Sequence, residues 1–202
     1  MPERFITSSL PEFFQEQVIA AVDHQHIKLS EEVEFYLVNL LTSFTDTEKL
    51  FCQSEMGERE DKALAIQFLE AAASKPSQKF SMLKNLGDLS LYMSGFFSEN
   101  LIKKLTGRDY YKNMGSMAYS TLSNMVFIDR QTNLKSLFDE MACKFSSLID
   151  VVSEVADATA LNNDQNILKL YEKWQTTGSD TVLRLLNQKG IQPLSNKMDS
   201  KH

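Results

Sequence analysis

Helix caps, rather than hairpin turns, punctuate this chain, and they restrict it to one fold class. Ser9 and Glu12 stand three apart with Pro11 between them, the pattern of a capping box with proline in the first turn. Leu10, Phe13, Phe14, Val18, Ala21 and Val22 then recur at helical spacing. Ser30 precedes Glu31 and Glu32, which suit the positive end of a helix dipole. Val33, Tyr36, Leu37, Leu40, Leu41 and Phe44 form the inward stripe behind them. Thr45 and Glu48 read as a second capping box, opening a short turn through Leu50, Phe51 and Cys52.

After the polar loop "QSEMGERED", a third helix carries Leu64, Ile66, Phe68, Leu69 and Ala72 as its apolar positions. Pro76 disfavours helix at Lys75, and Ser77 is placed to cap the next helix, expected from Gln78 to Phe97. A helix over 99–105 and the turn "TGRD" lead to Asp109, a cap for Tyr110 through Met125. Thr132 caps a long helix to about Ala156, and two more run near Asn163–Trp174 and Asp180–Lys189. Gly190, Ile191 and Pro193 resemble a glycine C-cap, its apolar contact and a stop. Only 7 glycines and 4 prolines occur in 202 residues, too few turn residues for many short strands. The expectation is an all-α, single-domain bundle of roughly eight to ten helices over 1–194, with a disordered tail at 195–202. No repeat argues for a solenoid.

Little catalytic chemistry is visible. The chain has no phosphate-binding loop, dinucleotide fingerprint, nucleophile elbow or zinc-protease helix. His24 and His26 lie two apart, which does not place both on one helical face, and they read as residues ending a helix. Cys52 and Cys143 are far apart and lack neighbouring ligands, so free thiols are expected, with no metal and no cofactor. Glu31/Glu34 and Glu58/Asp61 fall in hydrophilic stretches and read as solvated faces. The N-terminus lacks a basic region followed by an apolar run, and no segment approaches the roughly 18 apolar residues of a membrane span. A cytoplasmic protein is therefore expected.

Charge is unevenly distributed. Residues 1–76 hold 6 basic and 14 acidic groups, whereas residues 77–125 hold 6 and 3. That modest basic region lacks the concentrated face of a nucleic-acid binder, so nucleic acid is an unlikely partner on composition.

The passage "GDLSLYMSGFF" (87–97) is the least ordinary in the chain. Glycine costs about 1 kcal/mol against alanine in a helix interior, so two of them imply close approach of another element. Gly115 and Ala118, three apart in "MGSMAY", offer a matching small patch. The expectation is a helix crossing with Gly87, Ser94 and Gly95 on one side and Gly115 and Ala118 on the other. Asp88 lies between Leu86 and Leu89 and, if buried, requires a donor: Arg108, Tyr92, Tyr110, Tyr111 or Tyr119. Asp88, Tyr92 and Tyr119 thus make either a structural polar network or a pocket. Phe96, Phe97, Lys103, Lys104, Arg108, Tyr110 and Tyr111 concentrate aromatics and cations within a short stretch, the composition of interface anchors.

"LGDLSLYMSGFF", "YYKNMGSMAY" and "EFYLVNLL" resemble a largely uncharacterised family of bacterial all-helical proteins of about this length, over most of residues 10–125. The chain is also similar to the small helical partner proteins of Ras-like GTPases in bacterial polarity and motility systems. The resemblance implies a regulatory partner of a small GTPase. The residues themselves point to a non-enzymatic protein-binding module, with another protein as partner and homo-oligomerisation open. One alternative is an enzyme or small-molecule receptor with a pocket at Asp88, Tyr92 and the tyrosine block. Another is a nucleic-acid or membrane-surface binder using Lys103, Lys104, Arg108 and Lys112.

Overall fold

The computed structural model describes residues 9–51, 64–96, 107–128, 132–160, 164–188 and 191. Among the described residues the chain forms nine α-helices and no strand. They are α1 (Leu10–His24), α2 (Glu31–Phe51), α3 (Leu64–Ala73), α4 (Pro76–Phe96), α5 (Arg108–Ile128), α6 (Thr132–Cys143), α7 (Phe145–Ala160), α8 (Asp164–Thr177) and α9 (Asp180–Gln188). None of these is long and apolar enough to cross a membrane. The helix expected over 99–105 and the tail after residue 194 lie outside the described residues.

The boundaries follow backbone hydrogen-bond needs. The capping box at α1 closes as its sequence implies: Glu12 N–H donates to Ser9 Oγ at 3.5 Å, and Ser9 N–H donates to Glu12 Oε2 at 2.8 Å. At its other end His26 takes a left-handed φ of 55°, and the Ile27 N–H reaches back to the Val22 carbonyl at 3.1 Å. That bond and His26 N–H to the Asp23 carbonyl make a Schellman motif with histidine where glycine is usual. His24 and His26 therefore belong to a helix end. Ser30 caps α2, its hydroxyl accepting from Val33 N–H at 3.4 Å.

Four boundaries differ from the sequence reading. The backbone of α2 continues through 45–51, so Thr45 and Glu48 open no new helix. α4 begins at Pro76 rather than after a Ser77 cap, with Lys79 N–H donating to the Lys75 carbonyl at 2.8 Å. Proline suits the first helical position, where its missing N–H has no partner to lose. α5 begins one residue before Asp109, leaving that carboxylate in the first turn, beside the positive end of the dipole. The long helix expected from Thr132 is divided at Lys144 into α6 and α7.

By internal packing the chain forms two compact units, Met1–Ser153 and Glu154–His202. In the first unit α4 and α5 pack along each other most extensively. α6 packs against α5, α1 against α2, and α3 against both α4 and α5, while α2 touches α4 and α6. Phe14, Leu37, Leu41, Leu83, Leu86, Leu91, Tyr119, Leu122, Phe138 and Phe145 are fully buried there. Each such side chain contributes about 1.5–3 kcal/mol of hydrophobic stabilisation. Glu140 of α6 accepts from the Ser30 N–H at 3.1 Å and from Lys144 Nζ at 2.9 Å, tying the start of α2 to α6.

In the second unit Leu170, Val182, Leu185 and Leu186 form a small core flanked by Ala158, Tyr171, Trp174 and Ile191. Lys173 pairs with Asp157 at 2.8 Å, and Arg184 pairs with the buried Glu154. α8 ends at Gly178, whose φ of 63° lies in the left-handed region that glycine enters without a Cβ clash.

Candidate functional site

Asp88 sits on α4 and is only 7% exposed. Its carboxylate has three donors from three helices' worth of sequence. Tyr36 Oη of α2 donates to Oδ1 at 2.6 Å, and Tyr119 Oη of α5 donates to the same oxygen at 2.8 Å. Lys84 Nζ, one turn earlier on α4, donates to Oδ2 at 2.6 Å. The ammonium also stands 5.0 Å from the centroid of the Tyr36 ring. Burying a carboxylate is costly unless it is both paired and hydrogen-bonded, and here both oxygens are satisfied.

The electrostatics of the tyrosines follow from the same geometry. Burial pushes the Tyr119 hydroxyl well above its ordinary range, and the neighbouring Asp88 charge pushes it further. Burial, then Asp88, does the same to Tyr36. Both phenols are therefore held as neutral donors. The ring of Tyr36 lies edge-on to Tyr119, with centroids 6.4 Å apart, and edge-on to Phe138 at 6.2 Å. Tyr119 in turn stacks against Phe138 at 5.9 Å. Such aromatic pairs fix ring orientation as well as adding stability.

The glycines lie where side chains approach the helices closely. α4 and α5 pack along each other, and a Cβ at Gly115 would stand 2.9 Å from that of Ser90. A Cβ at Gly87 would lie 2.5 Å from Cε1 of Tyr119, one at Gly95 2.4 Å from Cγ1 of Val152, and one at Gly115 2.1 Å from Cζ of Phe145. Each glycine is a seat for a bulky side chain. Ala118 is fully buried, and Ser94 is buried with its hydroxyl donating to the Ser90 carbonyl at 2.6 Å.

Of the donors proposed for Asp88 from sequence, Tyr119 alone reaches it. Arg108 pairs instead with Asp150 of α7 at 2.6 Å, at an exposed position. Tyr92 stacks between Phe44 (4.5 Å) and Phe96 (4.8 Å), one turn beyond the carboxylate. Tyr110 is used at the start of α3, where its hydroxyl accepts from the Ala65 N–H at 3.0 Å. That N–H lies in the first turn of a helix and has no partner within it. Tyr111 meets Tyr110 edge-on at 5.7 Å. The pocket imagined at Asp88 and the tyrosine block is thus two separate features. Phe97, Lys103 and Lys104 lie outside the described residues. Lys84 and Tyr36 were missed. The spacing of four between Lys84 and Asp88 was a visible signal, whereas Tyr36 lies 52 residues away and only packing brings it in.

A second feature adjoins Tyr110. Ala65, Ile66, Leu69, Ala72 and Ala73 of α3 are all exposed, Ile66 at 47% and Leu69 at 67%. Their spacing places them on one helical face. Of the apolar positions the sequence marks on this helix, Leu64 is buried, and Ala71 is buried beside it. Glu70 is the one charged residue in this helix. Among the described residues no group of three or more His, Cys, Asp or Glu side chains is arranged to hold a metal ion. A shallow depression along α9, lined by Asp180, Leu183, Arg184 and Asn187, belongs to the second unit.

Comparison with protein-family models, with curated proteins and with solved structures finds no match to this chain.

Proposed function

We propose that the chain is a non-enzymatic protein-binding module that engages its partner through the outer face of α3 and the adjoining start of α5. The observation that carries this reading is the contiguous apolar face of Ala65, Ile66, Leu69, Ala72 and Ala73 left in solvent. Scattered apolar side chains on a surface need no explanation, but a continuous stripe on one helix does. Tyr110, joined to this helix through the Ala65 N–H, and Tyr111 beside it supply aromatic area next to the stripe. Arg108, in its exposed pair with Asp150, supplies a polar rim.

The similarity to partner proteins of Ras-like GTPases names one class of partner to test. Acting on a GTPase, such a module would work by binding one nucleotide state of the switch region better than the other. The experiment is affinity capture from the native cell with wild type, Ile66→Asp/Leu69→Asp, Arg108→Glu and Tyr111→Ala. The reading expects the α3 double variant to fold normally and lose a partner that wild type retains. If every folded variant keeps every partner, the surface is wrong.

A further inference from the structure

The seat around Asp88 has an occupant that could be exchanged. Both tyrosine hydroxyls converge on Oδ1, so Oδ2 is the oxygen presented to a cation, and Lys84 Nζ fills that position 2.6 Å away and over the Tyr36 ring. A carboxylate oxygen beside an aromatic face is the combination by which proteins hold organic ammonium ions. We propose that this seat is an ammonium-binding site with Lys84 as its resident occupant, open to an external primary alkylammonium when Lys84 withdraws.

The seat and its occupant differ in how firmly they are held. The Asp88 side chain is 10% exposed, Tyr119 is wholly buried, and the Tyr36 ring is braced by Tyr119 and Phe138. The Lys84 side chain keeps 40% of its surface in solvent. Its withdrawal breaks the ion pair with Asp88 and uncovers the face of the Tyr36 ring. A buried carboxylate short of its cation then favours capture of another. The ligand class is a primary ammonium, from either a free small amine or the lysine of another protein. This site is argued from different residues than the α3 surface and stands without it.

The test uses the full chain carrying Lys84→Ala, with methylammonium and Nα-acetyl-lysinamide as probes. Thermal unfolding and the NMR ring signals of Tyr36 and Tyr119 are followed. The substitution lowers Tm, and saturating probe restores about 2–4 °C while shifting both ring signals. Equal sodium chloride or tetramethylammonium chloride, neither with an N–H to donate, does not. A response to methylammonium alone assigns the seat to small free amines; a response to Nα-acetyl-lysinamide shows that a lysine from outside reaches it. In the intact chain the same shifts require more probe, because Lys84 competes. No response to either probe overturns the proposal, as does an equal response to the control salts or equal affinity in intact and substituted chains. Asp88→Asn on the Lys84→Ala background abolishes the response; should that variant not fold, the tetramethylammonium comparison still decides.

Discussion

The ring of Tyr119 occupies the space that a side chain at Gly87 would need, with its Cε1 only 2.5 Å from the position of a Cβ there. The next residue on α4 is Asp88, which accepts the hydroxyl of that same tyrosine. The missing side chain and the buried carboxylate are thus two halves of one arrangement: glycine admits the ring, and the neighbouring aspartate receives its polar tip.

Gly87→Ala should therefore destabilise the protein although alanine is the better helix former. Overpacking of this kind costs about 1–3 kcal/mol, outweighing a helix-propensity gain of about 1 kcal/mol at most sites. Gly107→Ala is the control, because a Cβ there meets nothing within 4 Å. Chemical denaturation should show a lowered midpoint for the first and little change for the second. Equal midpoints would mean that the Tyr119 ring moves aside at no cost.

Tyr36→Phe and Tyr119→Phe each keep the ring and remove one donor from Asp88. Hydrogen bonds to charged groups contribute about 1.5–3 kcal/mol each, so either change should lower stability by that order. Because both hydroxyls serve Oδ1, the double variant should depart from additivity. A double-mutant cycle measures the departure, and strict additivity would show that the two bonds act independently.

The two phenols also set an alkaline limit. Their folded-state pKa values lie above the usual 10.0, so the folded chain holds those protons more tightly than the unfolded chain does. The resulting stability is fully present below pH about 10 and declines as pH rises above it toward the folded values. Of the 6 tyrosines, these two should resist ionisation in an ultraviolet titration until the chain unfolds. Tyr36 and Tyr119 ionising in the native chain with ordinary midpoints would contradict the network.

Much of the helical architecture was legible because its signals are local. The reciprocal bonds of Ser9 and Glu12 need only four consecutive residues, and the stripe of Phe14, Val18, Ala21 and Val22 needs only the helical period. His26 was not legible as a left-handed cap, since glycine is the residue that normally announces one. The inward side of α3 was ambiguous for another reason: with apolar residues all around the helix, periodicity does not pick a face. The need of Asp88 for a donor followed from its leucine neighbours, but its bond to Tyr36 depends on how α2 meets α4. Tertiary packing, which sequence spacing does not encode, also sent Arg108 to Asp150 and Tyr110 to Ala65.

The proposed partner surface is tested most directly by a photo-crosslinking side chain installed at Leu69 in the native cell. The comparison position is Gln15, exposed on α1, a helix that packs against α2. The account predicts a discrete protein adduct from position 69 that position 15 does not give and that Ile66→Asp removes. No adduct at position 69, or the same adducts from both positions, would contradict it.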